Sequence, residues 1–251
     1  MKQLSIISLL TLTLFAFHCA ELKKKKDKDN TGFALLALAG SVACPTSAVS
    51  SPSNGTSFDF TQCKGDASAA LKVAGFTGTN VVLSGGVVGT GTSSTIVADS
   101  SRLSNLGGEK KATIQLTYNL SASDSYLEVV MPSTTSLVGP TFQLTPTEIK
   151  KKNVLGATSA LGGTPGLWAS SVAQDKTICI EVHNENGAHM FGWQGTCANV
   201  NRGSYEFQEE AVTGYDFSGD RVSFRLNKVN IKSIIIYSST IGTAGLVRTS
   251  D

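Results

Sequence analysis

Charge is scarce in this 251-residue chain: only 16% of residues are Asp, Glu, Lys or Arg. That is too little for a coiled coil or a solvated helical array. The charge is also balanced, 21 basic residues against 19 acidic, so no basic face points to a nucleic-acid partner. Only one apolar stretch, at the N-terminus, approaches the ~20 residues of a spanning helix, which excludes a polytopic membrane protein. No two cysteines have the Cys-x-x-Cys spacing of a zinc knuckle or redox site. A Gly-x-Ser-x-Gly elbow between strand and helix is missing. Gly85-Gly86 and Gly89-Thr90-Gly91-Thr92 lack the Gly-Lys-Ser/Thr ending of a phosphate loop, and no helix follows to support a dinucleotide fold.

What is abundant is small and polar. The chain has 30 Ser, 26 Thr and 25 Gly, yet its hydrophobic fraction of 41% is too high for a disordered polymer. The N-terminus reads as an address. Met1 to His18 has the anatomy of a secretory signal, with Lys2 before the uncharged run Leu4 to Phe17. Cys19 follows at once, and behind it comes a charged stretch, Lys23 to Lys26, Asp27, Lys28 and Asp29. After that tether lies a short apolar segment, Gly32 to Ala39.

This arrangement resembles the N-terminus of bacterial lipoproteins, in particular those of the spirochaetal, Leptospira type. His18 departs from the Gly, Ala or Ser that most lipoproteins carry before the cysteine. The resemblance covers about the first 45 residues and implies location, not activity. It implies that Cys19 is diacylated on sulfur and becomes the first residue after cleavage. Two or more acyl chains anchor stably, so the expectation is an exported protein held on a bacterial membrane, at the outer membrane or cell surface. The lysine run is then a solvated spacer. Phe33 to Ala43 is too short to span and is expected to form a helix docked on the folded part. The domain reading is residues 1–18 signal, 19–44 tether and apolar segment, and 45–251 one folded domain, with 155–166 as the candidate loop or boundary.

The remaining cysteines, Cys44, Cys63, Cys179 and Cys197, are even in number, which in an exported chain points to two disulfides. Four cysteines permit three connectivities. Pairing neighbours closes two loops of similar length, each worth ~3 kcal/mol on the chain-entropy picture.

From Thr56 onward the text is one of short alternating or β-branched runs between Gly, Ser, Asn and Pro. Ile114, Leu116, Tyr118 and Leu120 alternate with Gln115, Thr117 and Asn119; Val222, Phe224 and Leu226 alternate with Ser223 and Arg225; Ile234 to Tyr237 is continuous. Tyr126 to Met131 reads as a strand stopped by Pro132. Helical signals are confined to Ser68–Val73 and to a turn opening at Thr145-Pro146-Thr147-Glu148. The predicted fold is an all-β antiparallel β-sandwich, jelly-roll or immunoglobulin-like, of about ten to twelve strands with few short helices.

Chemistry concentrates between Thr177 and Cys197, which holds His183 and His189 beside Glu181 and Glu185. Asn186-Gly187 predicts a two-residue type I′ hairpin. That register pairs His183 with Met190 and Asn184 with His189, so the two histidines face opposite ways and share no metal. Glu181, His183 and Glu185 are then a surface cluster and candidate ligand-binding residues, and Phe191 and Trp193 join the core with Ile180 and Val182. A second acidic group, Glu206, Glu209, Glu210, Asp216 and Asp220, lacks the Asp-x-Asp-x-Asp-Gly loop but leaves calcium as the one cofactor to consider. The plainer reading is a solvated acidic edge. Trp168, Tyr205 and Tyr215 are the aromatic candidates for stacking on sugar rings.

Three functions follow in order of support: a non-catalytic binding or adhesion module for a host protein or envelope glycan, a structural envelope lipoprotein, and a glycan-directed hydrolase whose carboxylate pair no motif singles out.

Overall fold

The computed structural model describes residues 43–99, 105–106, 109–110, 112–163, 171–184, 186–200 and 205–237. The signal, Cys19, the tether, residues 33–42, Trp168 and Glu185 lie outside the described residues.

Strands β1 (Thr46–Val49), β2 (Gly55–Asp59), β3 (Phe76–Thr79), β4 (Val81–Leu83), β5 (Val87–Gly89) and β6 (Ser94–Ala98) come first. One short helix, α1 (Ala67–Val73), separates β2 from β3, and the Asp66 carboxylate caps it by accepting from the Ala69 amide. Next are β7 (Asn105–Leu106), β8 (Glu109–Lys110), β9 (Ala112–Leu120), β10 (Tyr126–Ser133), β11 (Thr141–Leu144) and β12 (Ile149–Lys152). Then follow β13 (Thr158–Ala160), β14 (Gly162–Gly163), β15 (Asp175–Asn184), β16 (Ala188–Gln194), β17 (Phe207–Val212), β18 (Arg221–Asn227) and β19 (Val229–Tyr237). The described residues therefore hold more strands than the sequence punctuation suggests, because several are only two or three residues long.

Two antiparallel sheets form a sandwich. A ten-stranded sheet runs β1-β2-β19-β9-β15-β16-β17-β14, with β4 and β5 joined to it through β19. A seven-stranded sheet runs β13-β12-β11-β10-β18-β6-β3. The described part of the expected boundary, residues 155–163, crosses between them: β13 pairs with β12 in the smaller sheet, and β14 pairs with β17 in the larger.

Period-two alternation builds the core. Strand β9 turns Ile114, Leu116, Tyr118 and Leu120 inward, and β15 adds Ile178, Ile180 and Val182. The facing sheet supplies Leu127 and Val129 from β10, Phe142 and Leu144 from β11, and Val222, Phe224 and Leu226 from β18. Each such fully buried side chain is worth about 1.5–3 kcal/mol against exposure. Two local expectations change. Strand β10 continues through Pro132 to Ser133, because the register against β18 shifts between Val130 and Ser133 and the proline sits in that irregularity. Thr145 opens no helix; its hydroxyl donates to the Glu148 carbonyl and accepts from the Glu148 amide, closing a tight turn from β11 into β12.

Candidate functional site

The β15–β16 hairpin exists, but its loop is one residue longer than predicted. Asn184 pairs with Ala188, so three residues separate the strands and His183 lies directly opposite His189. A Cβ on Gly187 would lie 2.7 Å from the Ala211 carbonyl carbon, so strand β17 presses on the turn, and the β16–β17 register shifts between Ala188 and Met190. A one-residue slip reverses the facing of the second strand. The histidines therefore share a face.

Their rings stack at 4.9 Å with an interplanar angle of 11°. Phe191 lies 5.4 Å and 6.0 Å from the two imidazoles, and Tyr205 stacks on Phe191 at 4.2 Å. This row occupies the side of β15–β16 away from Ile178, Ile180 and Val182, which corrects the placement of Phe191 and Trp193 in the main core. It is also not a surface cluster: Glu181 is 2% exposed and His183 3%. One Glu181 oxygen accepts from the Thr113 hydroxyl at 2.9 Å, and the other lies 3.4 Å from His183 Nδ1. Trp193, Tyr237 and the disulfide Cys179–Cys197 form a small second core here, with Tyr205 packed against it. The other disulfide is Cys44–Cys63, so both are the neighbour pairings.

Tyr215 is elsewhere. It packs half-buried against the main core, and its hydroxyl donates to the Lys152 carbonyl at 2.6 Å. Burial, with the Glu209 charge beside it, pushes its pKa up to about 12. The acidic group disperses as well. Glu206 accepts from the Gln194 amide, Glu209 pairs with Lys151, Asp216 accepts from Ser218 in a turn, and Asp220 pairs with Arg221. Among the described residues no three His, Cys, Asp or Glu side chains are arranged to hold a metal.

The better candidate site lies on the outer face of the seven-stranded sheet. Alternation that sends Leu127, Val129 and Met131 inward must send Glu128 outward, and it is nevertheless 2% exposed. Register explains how. Glu128 is flanked by Gln143 on β11 and Arg225 on β18. One carboxylate oxygen accepts from Lys152 Nζ at 2.7 Å and Gln143 Nε2 at 3.3 Å; the other accepts from Arg225 Nη1 at 3.1 Å. Tyr126, two residues before Glu128 on the same face, has its pKa raised by partial burial and the Glu128 charge, with Arg225 opposing.

Beside this cluster opens a cleft of about 310 Å³ whose wall includes Lys152 and Arg225. Two loops frame it. In the first, Leu137 has a φ of 58° and its carbonyl accepts from Arg225 Nη2 at 2.7 Å. In the second, Asn153 Oδ1 accepts from the amides of Leu155 and Ala157. Val138, Val154 and Leu155 stand at the rim, 45%, 57% and 89% exposed. The arrangement can bind: rigid strands hold donors at the base, and aliphatic groups surround the mouth. The sequence carried one local sign of it, a lone glutamate inside the apolar run Tyr126 to Met131.

No protein-family model matches the chain, and no curated protein matches it. Among solved structures it is similar to the carbohydrate recognition domain of Emp46p in its potassium-bound form, at 12% identity and a TM-score of 0.44, covering 67% of this chain and 91% of that one. It is similar to the carbohydrate-binding module CBM66 from Bacillus subtilis, at 10% identity and a TM-score of 0.40, covering 65% of this chain and 92% of that one. A third is the receptor binding domain of botulinum neurotoxin D, at 11% identity and a TM-score of 0.41, where 65% of this chain covers 44% of the other.

Proposed function

We propose that this protein is an exported lipoprotein, anchored through Cys19 to a bacterial membrane, whose β-sandwich binds a glycan without turning it over. The observation that carries the binding half is the cleft beside Glu128, Lys152 and Arg225. Sugars present hydroxyls around a ring with apolar C–H faces, and small-ligand sites meet such groups with a few fixed polar side chains among apolar ones. Here the polar set is fixed by four neighbouring strands, β12, β11, β10 and β18, and Val138, Val154 and Leu155 supply the apolar contact. Hydrolysis of a glycoside uses two carboxyl groups about 5–10 Å apart. Among the described residues lining this cleft there is no Asp or Glu, and the Glu128 carboxylate behind it is already engaged by three side chains. The anchor half rests on the N-terminal anatomy, and two disulfides fit an oxidising compartment outside the cytosol.

Two measurements test this. The full chain in detergent, applied to a glycan array, is expected to bind a defined sugar class and release no shorter product. Leu155→Asp, at an exposed rim position, is expected to weaken binding at least about tenfold while changing stability by under about 0.5 kcal/mol. Undiminished binding would move the site off this cleft. In cells, Cys19→Ala is expected to leave the membrane fraction; retention there would dismiss the lipid anchor.

A further inference from the structure

We infer that the sugar this cleft selects is acidic, bearing a carboxylate or sulfate, and that Lys152 reads its charge; this rests on the glycan-binding reading above. The inference starts from charge balance. Neighbouring lysines are matched one to one: Lys150 lies 2.6 Å from Glu148, and Lys151 lies 2.9 Å from Glu209. Lys152 and Arg225 instead share a single carboxylate, that of Glu128. One positive charge is left over.

Geometry places that excess where a ligand meets it. Glu128 is 2% exposed, whereas the side chains of Lys152 and Arg225 keep 26% and 31%. The cations lie toward solvent with the carboxylate behind them, and both line the cleft. Arg225 spends one nitrogen on Glu128 and the other terminal nitrogen on the Leu137 carbonyl, so it holds the loop as well as the floor. Lys152 donates once, to Glu128, and an ammonium carries three protons. Two donors therefore remain for a guest. Asn153 accepts twice through its oxygen, which turns its NH2 group into the donor available at the wall. Donors dominate this surface, and the complementary guest is an anion. Charge-assisted hydrogen bonds are about twice as strong as neutral ones, so such a guest is favoured over a neutral sugar of the same shape. A second concavity, between the β15–β16 turn and residues 212–217, offers the contrast: its described lining has Asp216 and no Lys or Arg.

The test uses the full chain in detergent and oligosaccharides of equal length: galacturonic acid oligomers, sulfated chondroitin fragments, and neutral glucose and N-acetylglucosamine oligomers. Binding of the uronate or sulfated arm, weakened at least about tenfold between about 50 and 300 mM salt, is the expected result. Lys152→Gln is expected to reduce that binding at least about tenfold, and Lys152→Arg, which keeps the charge, to stay within about threefold of wild type. Should Lys152→Gln fail to fold, as read by its thermal melt, the salt titration and Lys152→Arg still decide. Neutral oligomers bound as well as acidic ones, with no salt dependence, would overturn the acidic preference and leave the glycan reading standing. If no oligosaccharide binds, the glycan reading itself fails. Binding to phosphatidylglycerol vesicles in place of every sugar would overturn both in favour of a lipid surface.

Discussion

Gly192 faces the main core from β16, directly opposite Phe207 on β17. A Cβ there would enter the Phe207 ring and come within 2.9 Å of the Cys179 carbonyl oxygen. The ring has filled the space that the missing side chain leaves, and it meets Phe142 edge-on at 6.3 Å. Gly192→Ala is therefore expected to cost about 1–3 kcal/mol by overpacking, read as a lower urea midpoint. Gly91→Ala, where nothing lies within 4 Å, is expected to stay within about 0.5 kcal/mol of wild type. Tyrosines set the alkaline limit. The pKa of Tyr215 is pushed up to about 12 from an ordinary 10.0. Tyr118 is raised further by burial, and its hydroxyl has no hydrogen-bond partner among the described residues. Above pH 10 the unfolded chain ionises while the native one resists, so the contribution of both is full below pH 10 and that of Tyr215 is lost as pH rises through about 12. Urea midpoints are expected to fall across that window. Tyr118→Phe and Tyr215→Phe should each flatten the fall, and a slope unchanged in both variants would contradict the burial argument.

At the scale of elements, the β15–β16 hairpin shows what local sequence conveys. Alternation located both strands and Asn186-Gly187 located the turn, since these depend on residues adjacent in the chain. The observed register seats Ala211 of β17 against the turn, a contact from outside the hairpin that no local pattern carries. The cleft was hidden for the same reason. Its donors come from β11, β12 and β18, and Arg225 lies 97 residues from Glu128. The disulfides were more legible, because each joins neighbouring cysteines, 19 and 18 residues apart. Cys179–Cys197 closes the open end of the hairpin and holds the following turn, where the Cys197 amide donates to Gln115 Oε1 at 2.9 Å. Replacing both cysteines by serine is expected to lower stability by about 3 kcal/mol. Wild type in reducing buffer should lose at least as much, since both bridges open there; an unchanged urea midpoint would show that the bridge constrains little.

At the scale of the whole molecule, one corner places two central strands. Strands β18 and β19 are consecutive, joined at Lys228 with a φ of 53°, yet they belong to different sheets. Neither is at an edge. Strand β18 lies between β10 and β6, and β19 lies between β9 and β2. Five strands of earlier sequence thus await partners that arrive only with residues 221–237. For a protein threaded outward from its N-terminus, this is a timing constraint. While those residues remain inside, β2, β5, β6, β9 and β10 each present an open edge, and unpaired edges recruit foreign strands. Completion of both sheets therefore coincides with emergence of one hairpin-length segment. In a chain exported as proposed above, both sheets would stay incomplete until that segment is released, and the interval just before release would be its most aggregation-prone moment.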